Sequence, residues 1–465
     1  MATSTASPPD GTRTTVFFHP DLGIGGAERL VVDAAVGLQA RGHRVVLFTS
    51  HCDPAHCFDE CRDGTLDVRV RGNSLVPPSV CSRLTILCAV LRHLHLLLSI
   101  FWTGELAALG PRVFVVDQLS AGLPLLRCLA PRVPVLFYCH FPDLLLARGR
   151  ELSMAKRLYR VPFDLLEQWS MSFARVVAVN SNFTRGVVAA TWPRLQDKVP
   201  TRVVYPCVDT TVKTPAVDEL VTGKKLILSI NRFERKKDIG LAIRAFARIP
   251  EKHRLGVRLV LAGGYDPRVS ENVLYHTELQ ALAASLALVH HTMTPSKLSA
   301  MASLSSTPPD TQVLFLLSVP DTLKDSLLRA ARLLVYTPTN EHFGIVPLEA
   351  MLSRLPVLAA NTGGPVETIA DGETGWLRDP DDVSAWTDVM HHSLSLSDEQ
   401  VARMGAAGQR RVEDMFGRDK MAQTLDESLD HIVRLEEEAS HKAGTGVWAV
   451  FVALCAVLAT WWFMF

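Results

Sequence analysis

Short apolar runs of strand length alternate along the chain with longer stretches of helical periodicity. The strand-length runs cover residues 14–19, 44–49, 112–116, 134–138, 175–179, 202–205, 226–230, 257–261, 313–317, 332–336 and 356–360. Strands that alternate with helices in this way are typical of open parallel sheets with helices packed on both faces. The pattern therefore predicts an α/β protein.

A chain of 465 residues is too long for one ordinary core, and its apolar fraction of 48% is enough for two α/β domains. A stretch with Pro, Gly and charge but no apolar period separates the two sets of strands. The predicted order is a flexible tail (1–13), a first Rossmann-like domain (14–213), a linker (214–225), a second Rossmann-like domain (226–415) with a flexible insertion at about 291–311, and a closing helix (416–440).

Two further apolar segments raise the question of a membrane. Residues 447–465 carry no charge and have Trp448, Trp461 and Trp462 near their ends, so we expect a membrane anchor rather than a buried helix. Because this segment comes last, the globular body should stay on the cytosolic side. Residues 84–102 are also strongly apolar but contain Arg92 and two histidines. Charges are costly in a bilayer, so this segment is predicted to be a buried or interfacial helix.

Composition excludes some classes of function. Lys plus Arg total 48 and Asp plus Glu total 48, so no overall basic field favours nucleic acid. Nine cysteines without a regular framework indicate reduced thiols. Three of them lie close together as Cys52, Cys57 and Cys61, but their spacing matches no tetrahedral zinc pattern. We therefore predict no metal site.

The stretch 339–350 is the strongest candidate for chemistry, because Glu341 and Glu349 stand around a Gly and a Pro between a strand and a helix. Pro347 suits the first position of that helix, which places Glu349 in the first turn. Glu349 could then cap the helix dipole or hold a sugar diol, and both interpretations remain open. Free N–H groups at such a helix start suit a phosphate.

Cations and glycines follow other strands of the second domain. Arg232 and Lys237 come directly after the strand at 226–230, where a parallel sheet binds its ligands. A run of charges is often only a solvated face, but this position favours an anionic ligand. Gly363 and Gly364 form a tight turn after the strand at 356–360.

The first domain has two candidate positions of its own. Gly25 and Gly26 stand between a strand and a helix, but their spacing does not match the dinucleotide-binding fingerprint, so a tight turn and a ligand loop are both possible. His140 follows the strand at 134–138 in the sequence Cys-His-Phe-Pro-Asp. A histidine there is either a packed core residue or a residue of the ligand crevice.

Together, the glycine turn, Asn-Arg-Phe-Glu-Arg-Lys-Lys at 231–237, the two glutamates and Gly-Gly-Pro-Val-Glu at 363–367 resemble the retaining GT-B glycosyltransferases of family 4. The stretches 19–29, 138–146 and 340–350 resemble, more narrowly, the mannosyltransferases that extend dolichol-linked oligosaccharides. This resemblance covers residues 15–435. It implies two Rossmann-like domains facing a central crevice and a C-terminal membrane helix.

The resemblance also implies a reaction. GDP-mannose would be the donor, and α-1,3 and α-1,6 mannoses would be added to dolichol-diphosphate-linked Man1GlcNAc2 at the cytosolic face of the endoplasmic reticulum membrane. Arg232 and Lys237 would hold the diphosphate, Glu349 the ribose, and Glu341 would lie beside the reacting sugar. The implied donor-binding glycines are Gly25, Gly26, Gly344, Gly363 and Gly364. The implied acceptor-binding residues are His140, Phe141 and Asp143.

The same resemblance implies catalysis by His140, Glu341, Arg232 and Lys237 without a metal or a cofactor other than the donor substrate. Other early dolichol-pathway mannosyltransferases are expected partners, and nucleic acid is not. Two alternatives share the architecture: a sugar-nucleotide epimerase and a non-catalytic membrane scaffold. Neither accounts for both features of the chain, since an epimerase needs no lipid acceptor and a scaffold needs no charged strand ends.

Overall fold

The computed structural model describes residues 13–80, 84–146, 154–210, 224–294 and 307–440. The chain forms two compact units: a first unit of residues 1–180, 184–205 and 421–465, and a second unit of residues 181–183 and 206–420. The chain thus passes to the second unit at Pro206, before the predicted linker. Almost all of the predicted tail, most of the linker and the whole apolar segment 447–465 lie outside the described residues.

The first unit contains a parallel sheet of seven strands in the order β3-β2-β1-β4-β5-β6-β7. The strands are β1 (Arg13–Leu22), β2 (His43–Cys52), β3 (Asp67–Val70), β4 (Val113–Asp117), β5 (Val135–Cys139), β6 (Val176–Val179) and β7 (Thr201–Val203). The helices are α1 (Gly26–Ala40), α2 (Thr85–Trp102), α3 (Glu105–Leu109), α4 (Leu123–Leu129), α5 (Asp143–Leu146), α6 (Met154–Met171), α7 (Asn182–Thr191) and α8 (Pro193–Gln196). Helix α7 begins in the segment assigned to the second unit.

The second unit has a parallel sheet of the same size, in the order β10-β11-β9-β8-β12-β13-β14. Its strands are β8 (Lys225–Ile230), β9 (Val257–Gly263), β10 (His290–Met293), β11 (Val313–Leu317), β12 (Ala331–Tyr336), β13 (Val357–Ala360) and β14 (Gly375–Arg378). Its helices are α9 (Ile239–Arg248), α10 (Glu251–Arg254), α11 (Ser270–Ser285), α12 (Asp321–Ala330), α13 (Ile345–Leu352), α14 (Pro365–Thr368), α15 (Val383–Ser395) and α16 (Asp398–Phe416).

Central strands were predictable because both of their faces are buried. Strand β4 is buried at every position, and β8 at every position after Lys225. The edge strands β3, β10 and β14 were missed, since strands at a sheet edge need no continuous apolar run. Strand β10 corrects the predicted flexible insertion: residues 291–293 pair with β11, and Arg258 Nε donates to the carbonyl of Thr311 at 3.2 Å. Residues 295–306 are not described.

Helix α2 is the one helix in the described part of the chain that is long and apolar enough to cross a membrane. Its charged residues nevertheless point into the protein. Arg92 is buried, donates from Nη2 to the carbonyl of Ser50 at 2.9 Å and pairs with Asp21 at 3.3 Å. His93 is also buried. One face of α2 is therefore packed against the rest of the first unit.

The closing helix α17 (Arg418–Ser440) returns to the first unit from Met421 onward. Asp426 accepts from Arg41 Nε at 2.8 Å and lies 3.0 Å from Nε2 of His43. Glu436 accepts from Arg127 and Arg175 at 3.0 and 2.6 Å. These ion pairs complete the first unit with residues from the end of the chain.

Candidate active site

In the second unit, the carboxyl ends of β8 and β9 bring Arg232 next to a glycine pair. A side chain at Gly263 would overlap the backbone of Asn231, and one at Gly264 would lie 3.1 Å from the Arg232 side chain. Larger residues would displace this loop. The Arg232 guanidinium is 69% exposed and lies 3.4 Å from Glu234, so it remains available to an anion.

Lys237 and Glu341, which are far apart in sequence, form a direct ion pair in this unit. Lys237 Nζ donates to Glu341 Oε2 at 2.5 Å, and both side chains are partly buried. The hydroxyl of Thr337, at the end of β12, donates to the Lys237 carbonyl at 2.6 Å. The strand end thus holds the lysine backbone beside the glutamate. A partly buried ammonium at this position can bind an anionic ligand.

The structure corrects the predicted start of helix α13. The helix begins at Ile345, after Gly344 at φ 91°, so Pro347 is not its first residue and Glu349 lies beyond the first turn. Left-handed backbone at Gly344 starts the helix two positions early, since glycine adopts this conformation without strain. A cap on the helix dipole is therefore not the role of Glu349, because dipole effects fade within one turn.

Glu349 instead pairs with Lys324, a residue that the sequence analysis missed. Lys324 Nζ in α12 donates to Glu349 Oε1 at 3.0 Å. Burial lowers the pKa of Lys324, but the Glu349 charge outweighs burial and raises the pKa above its ordinary value. Lys324 is the fourth residue of α12, seven positions after β11 ends, so no pattern at a strand end marked it. The second unit therefore contains two Lys–Glu pairs around one strand end.

Tyr336 lies beneath these pairs at the end of β12. Burial, followed by the charges of Glu341 and Glu349, raises the pKa of its phenol well above the ordinary value. A Cβ atom at Gly344 would lie 3.7 Å from the Tyr336 hydroxyl oxygen. The tyrosine is therefore a neutral hydrogen-bonding group among charged ones.

Gly363 and Gly364 contact protein backbone directly. A Cβ atom at Gly363, where φ is 74°, would lie 2.5 Å from the Glu341 carbonyl oxygen, and one at Gly364 would lie 2.2 Å from that of Phe343. The Gly364 N–H donates to the Glu341 carbonyl at 2.7 Å. These glycines position the loop that carries Glu341.

The first unit brings His140 to a buried carboxylate. Asp117, at the end of β4, accepts from Nδ1 of His19 at 2.8 Å, and its other oxygen lies 2.8 Å from His140 Nε2. The second pair is close but not aligned for a hydrogen bond, so it is a charge contact. Burial raises the pKa of Asp117, but His140 and His19 outweigh burial and lower it to about 2. Burial lowers the pKa of His140, but the charge of Asp117 raises it by more, so the net change is an increase.

Next to His140, the first unit has a cavity of about 740 Å³. Phe141 and Asp143 line it, as do Arg160 and Glu167 of α6. Glu167 accepts from the N–H groups of Asp143 and Leu144 at 2.9 and 3.3 Å. Burial raises the pKa of Glu167 to about 7. The cavity joins apolar walls to a few charged groups, as small-molecule sites usually do.

The glycine turn of the first unit is shorter than predicted. Strand β1 continues through Leu22, and α1 begins at Gly26. A Cβ atom at Gly25 would lie 2.3 Å from a carboxylate oxygen of Glu28, whereas one at Gly26 would meet open space. Gly25 thus makes room for Glu28, whose charge also helps to raise the pKa of His140.

Comparisons with known proteins agree with this architecture. The family model "Glycosyltransferase Family 4" matches residues 24–212, and "Glycosyl transferases group 1" matches residues 213–411. Among solved structures, sucrose-phosphate synthase from Thermosynechococcus elongatus has a TM-score of 0.65 at 19% identity, covering 91% of this chain and 100% of that one. Anabaena HepE in complex with UDP and glucose has a TM-score of 0.62 at 19% identity, covering 90% and 100%. These neighbours share the GT-B fold.

Curated relatives match at much higher identity. The α-1,3/1,6-mannosyltransferase alg-2 of Neurospora crassa is 56% identical over 97% of both chains. The α-1,3/1,6-mannosyltransferases ALG2 of Kluyveromyces lactis and Saccharomyces cerevisiae are 46% and 42% identical, covering 90% and 92% of this chain and 85% and 86% of their own. The chain belongs to the α-1,3/1,6-mannosyltransferase family of GT-B glycosyltransferases.

Proposed function

We propose that this protein transfers mannose from GDP-mannose to dolichol-diphosphate-linked Man1GlcNAc2, forming one α-1,3 and one α-1,6 linkage with retention of configuration. The observation that carries the proposal is the Lys237–Glu341 ion pair at the end of β8 and β12. Together with the 42–56% identity to α-1,3/1,6-mannosyltransferases over nearly the whole chain, it supports transfer from a sugar nucleotide.

In this proposal, the cations of the second unit stabilise the leaving diphosphate. Negative charge gathers on the phosphate as the glycosidic bond breaks, and Arg232 and Lys237 lie at a strand end where such a group would bind. Glu349 takes the donor ribose hydroxyls, with Lys324 holding its carboxylate in place. The positive charge of these residues serves the role that a divalent ion would otherwise take, so we propose a reaction without a metal or cofactor.

Glu341 is an electrostatic neighbour of the reacting bond in this scheme. Its carboxylate is committed to Lys237 in an ion pair, which weakens it as a nucleophile. Retention then results because the acceptor hydroxyl attacks the donor sugar from the same face that the diphosphate leaves. The leaving phosphate assists this attack. Gly344, Gly363 and Gly364 shape the loop around the donor.

We assign the acceptor to the first unit. His140, Phe141 and Asp143 line its cavity, and the raised pKa of His140 makes it a cation over a wider pH range, suited to an anionic or hydroxylated acceptor. Gly25 and Gly26 belong to the donor-binding set in this proposal. Because the proposed acceptor is a dolichol lipid, we propose that the protein works at the endoplasmic reticulum membrane with its body on the cytosolic side, and that other early dolichol-pathway mannosyltransferases are its partners.

Purified full-length protein with labelled GDP-mannose and dolichol-diphosphate-linked Man1GlcNAc2 tests the proposal. We expect a product with two additional mannoses, one released by an α-1,6-specific and one by an α-1,3-specific mannosidase. A Lys237→Met variant prepared in parallel should add both mannoses about 100- to 1,000-fold more slowly. Epimerised nucleotide sugar without transfer, or donor binding without any product, would refute it.

A further inference from the structure

The first unit has a separate cavity of about 590 Å³ at the carboxyl ends of strands β1 and β2, beside helix α2. Its wall consists of Asp21 from β1, His51 from β2, Arg92 from α2 and the loop 73–78. Asp21 also lines the cavity next to His140. The two cavities therefore adjoin at this aspartate.

Arg92 is the buried charge in this wall. It interrupts the apolar sequence of α2, and its side chain is only 9% exposed. Nη2 donates to the carbonyl of Ser50 at 2.9 Å, and Nη1 lies 3.3 Å from a carboxylate oxygen of Asp21. The buried Nε has no acceptor among the described residues. A buried donor without an acceptor is costly, so this arginine has hydrogen-bonding capacity left for a ligand.

Gly72 brings the loop 73–78 close to α2. Its φ is 72°, and a Cβ atom there would lie 2.5 Å from the backbone nitrogen of Leu96. Leu96 follows Arg92 by four residues, so both lie on the same face of the helix. The loop contributes Leu75, which is 77% exposed, and two prolines to the cavity wall. The cavity therefore combines a charged pair with apolar residues.

The balance of charge favours a neutral ligand over an anion. Among the described residues that line the cavity, Arg92 and Asp21 are the only ones with a permanent charge, and their charges cancel. The carboxylate of Asp21 would repel a phosphate. A secondary amide suits the pair, because its carbonyl can accept from the guanidinium while its N–H donates to the carboxylate. An apolar wall beside such polar groups suits the methyl of an acetamido group.

We infer that this cavity binds an N-acetylhexosamine unit of the acceptor and recognises its acetamido group. The inference rests on the proposed function, in which the acceptor contains two N-acetylglucosamine units. Arg92 donates to the acetamido carbonyl, Asp21 accepts from the acetamido N–H, and Leu75 covers the methyl. Because the two cavities adjoin at Asp21, one acceptor can place its N-acetylglucosamine here and its mannose in the cavity next to His140.

Titration of the full-length protein with two disaccharides, followed by saturation-transfer NMR, tests the binding directly. Chitobiose and cellobiose differ only in having an acetamido or a hydroxyl group at C2 of each ring. We expect the dissociation constant of cellobiose to be at least about tenfold higher, because cellobiose lacks the amide that the charged pair binds.

Leu75→Ser should raise the dissociation constant of chitobiose about fivefold, because the methyl loses its apolar contact. Leu255→Ser is the matched control, since Leu255 is 75% exposed in the second unit, and it should leave chitobiose binding unchanged. Undetectable chitobiose binding, equal constants for the two disaccharides, or equal effects of the two variants would overturn the inference.

Transfer to two lipid-linked acceptors separates this inference from the proposed function. One acceptor contains Man1GlcNAc2, and in the other both N-acetylglucosamines are replaced by glucose. In the wild type, KM for the glucose analogue should be at least about tenfold higher. In Arg92→Lys, which keeps the charge but loses Nε as a donor, this ratio should fall to about twofold, while KM for GDP-mannose stays unchanged.

A thermal melt establishes whether Arg92→Lys is folded. If it is not, Leu75→Ser replaces it in the same comparison and should lower the ratio of the two KM values about fivefold. Equal KM values in the wild type, or an unchanged ratio in the folded variant, would show that the acetamido group is not recognised here. If wild type transfers mannose to neither acceptor, the proposed function is wrong, whatever the disaccharide titration gives.

Discussion

The two units of this protein differ in how far their charged side-chain clusters are buried. In the first unit, Asp117 is 1% exposed and its two oxygens contact His19 and His140, so the charge is balanced inside the fold. In the second unit, the pairs Lys237–Glu341 and Lys324–Glu349 are partly open to solvent. Burial gives the first cluster a fixed geometry at a high desolvation cost, whereas the open pairs can exchange a partner for a ligand. Removing the buried carboxylate of Asp117 should therefore mainly change stability, and variants of the second unit's pairs should mainly change catalysis.

The largest effect is expected at Lys237. Lys237→Met should lower kcat/KM for mannose transfer about 100- to 1,000-fold, because it removes a cation that stabilises the leaving phosphate. The measurement is transfer from labelled GDP-mannose, together with a thermal melt to establish folding. Lys236→Met is the matched control, since Lys236 is 53% exposed and pairs only with Glu234 among the described residues. Equal losses in the two variants would show that position 237 contributes general charge only.

Asp117→Asn should mainly change stability. Both histidines lose their anionic partner in the interior, so the unfolding free energy should fall by about 3 kcal/mol, measured by denaturant titration. Asp67→Asn is the control, because Asp67 is exposed on β3 and pairs with Arg69 at the surface.

The stability that Asp117 contributes should also depend on pH. Because the pKa of its carboxylate is lowered, this stability is present above the ordinary aspartate pKa and is lost as pH falls towards 2. Asp117→Asn should therefore show a smaller loss of stability on acidification than wild type.

Lys324→Met should change donor binding more than turnover. Without the ammonium, the Glu349 carboxylate is no longer held, so KM for GDP-mannose should rise about fivefold to tenfold while kcat changes less. Glu349→Gln should have a similar effect, and the double variant should be no worse than either single one. Lys225→Met, at the opposite end of β8, should leave KM unchanged. Additive losses in the double variant would show that Lys324 acts independently of Glu349.

Glu341 and Glu349 should also differ from each other. Glu349→Gln should raise the donor dissociation constant more than Glu341→Gln, because the first is assigned to the ribose and the second to the reacting bond. Isothermal titration with GDP-mannose measures both constants. A larger rise for Glu341→Gln would reverse the two assignments.

The smallest effect is expected from Glu167→Gln. Burial raises the pKa of Glu167 from 4.5 to about 7, so the stability it contributes is fully present below pH 4.5 and is lost as pH rises through 7. The glutamine variant has no such loss. The difference in melting temperature, variant minus wild type, should therefore increase between pH 5 and pH 8 by a few degrees at most. A difference that is constant with pH would show that the carboxylate is ionised throughout this range.

More of the second unit's site than of the first unit's could be predicted from the sequence. The apolar runs predicted the strands of the second unit, and therefore also the charged residues that follow those strands: Arg232, Lys237, Glu341 and Glu349. Lys324 was not predicted, because its role depends on how α12 packs beside α13. His19 was missed for the same reason: it lies inside β1, and nothing local shows that β4 brings Asp117 to it.

Sequence alone determined the α/β class, the two sheets and the strand ends that carry charge, because hydrophobic periodicity and turn residues act over a few neighbouring positions. Tertiary structure alone decided the partners of those charges: Lys324 for Glu349, Asp117 for both histidines, and the loop of Glu341 for Gly363 and Gly364. It also decided that one face of α6 lines the cavity next to His140. Such contacts depend on how elements far apart in sequence pack against each other, and no local sequence pattern indicates that packing.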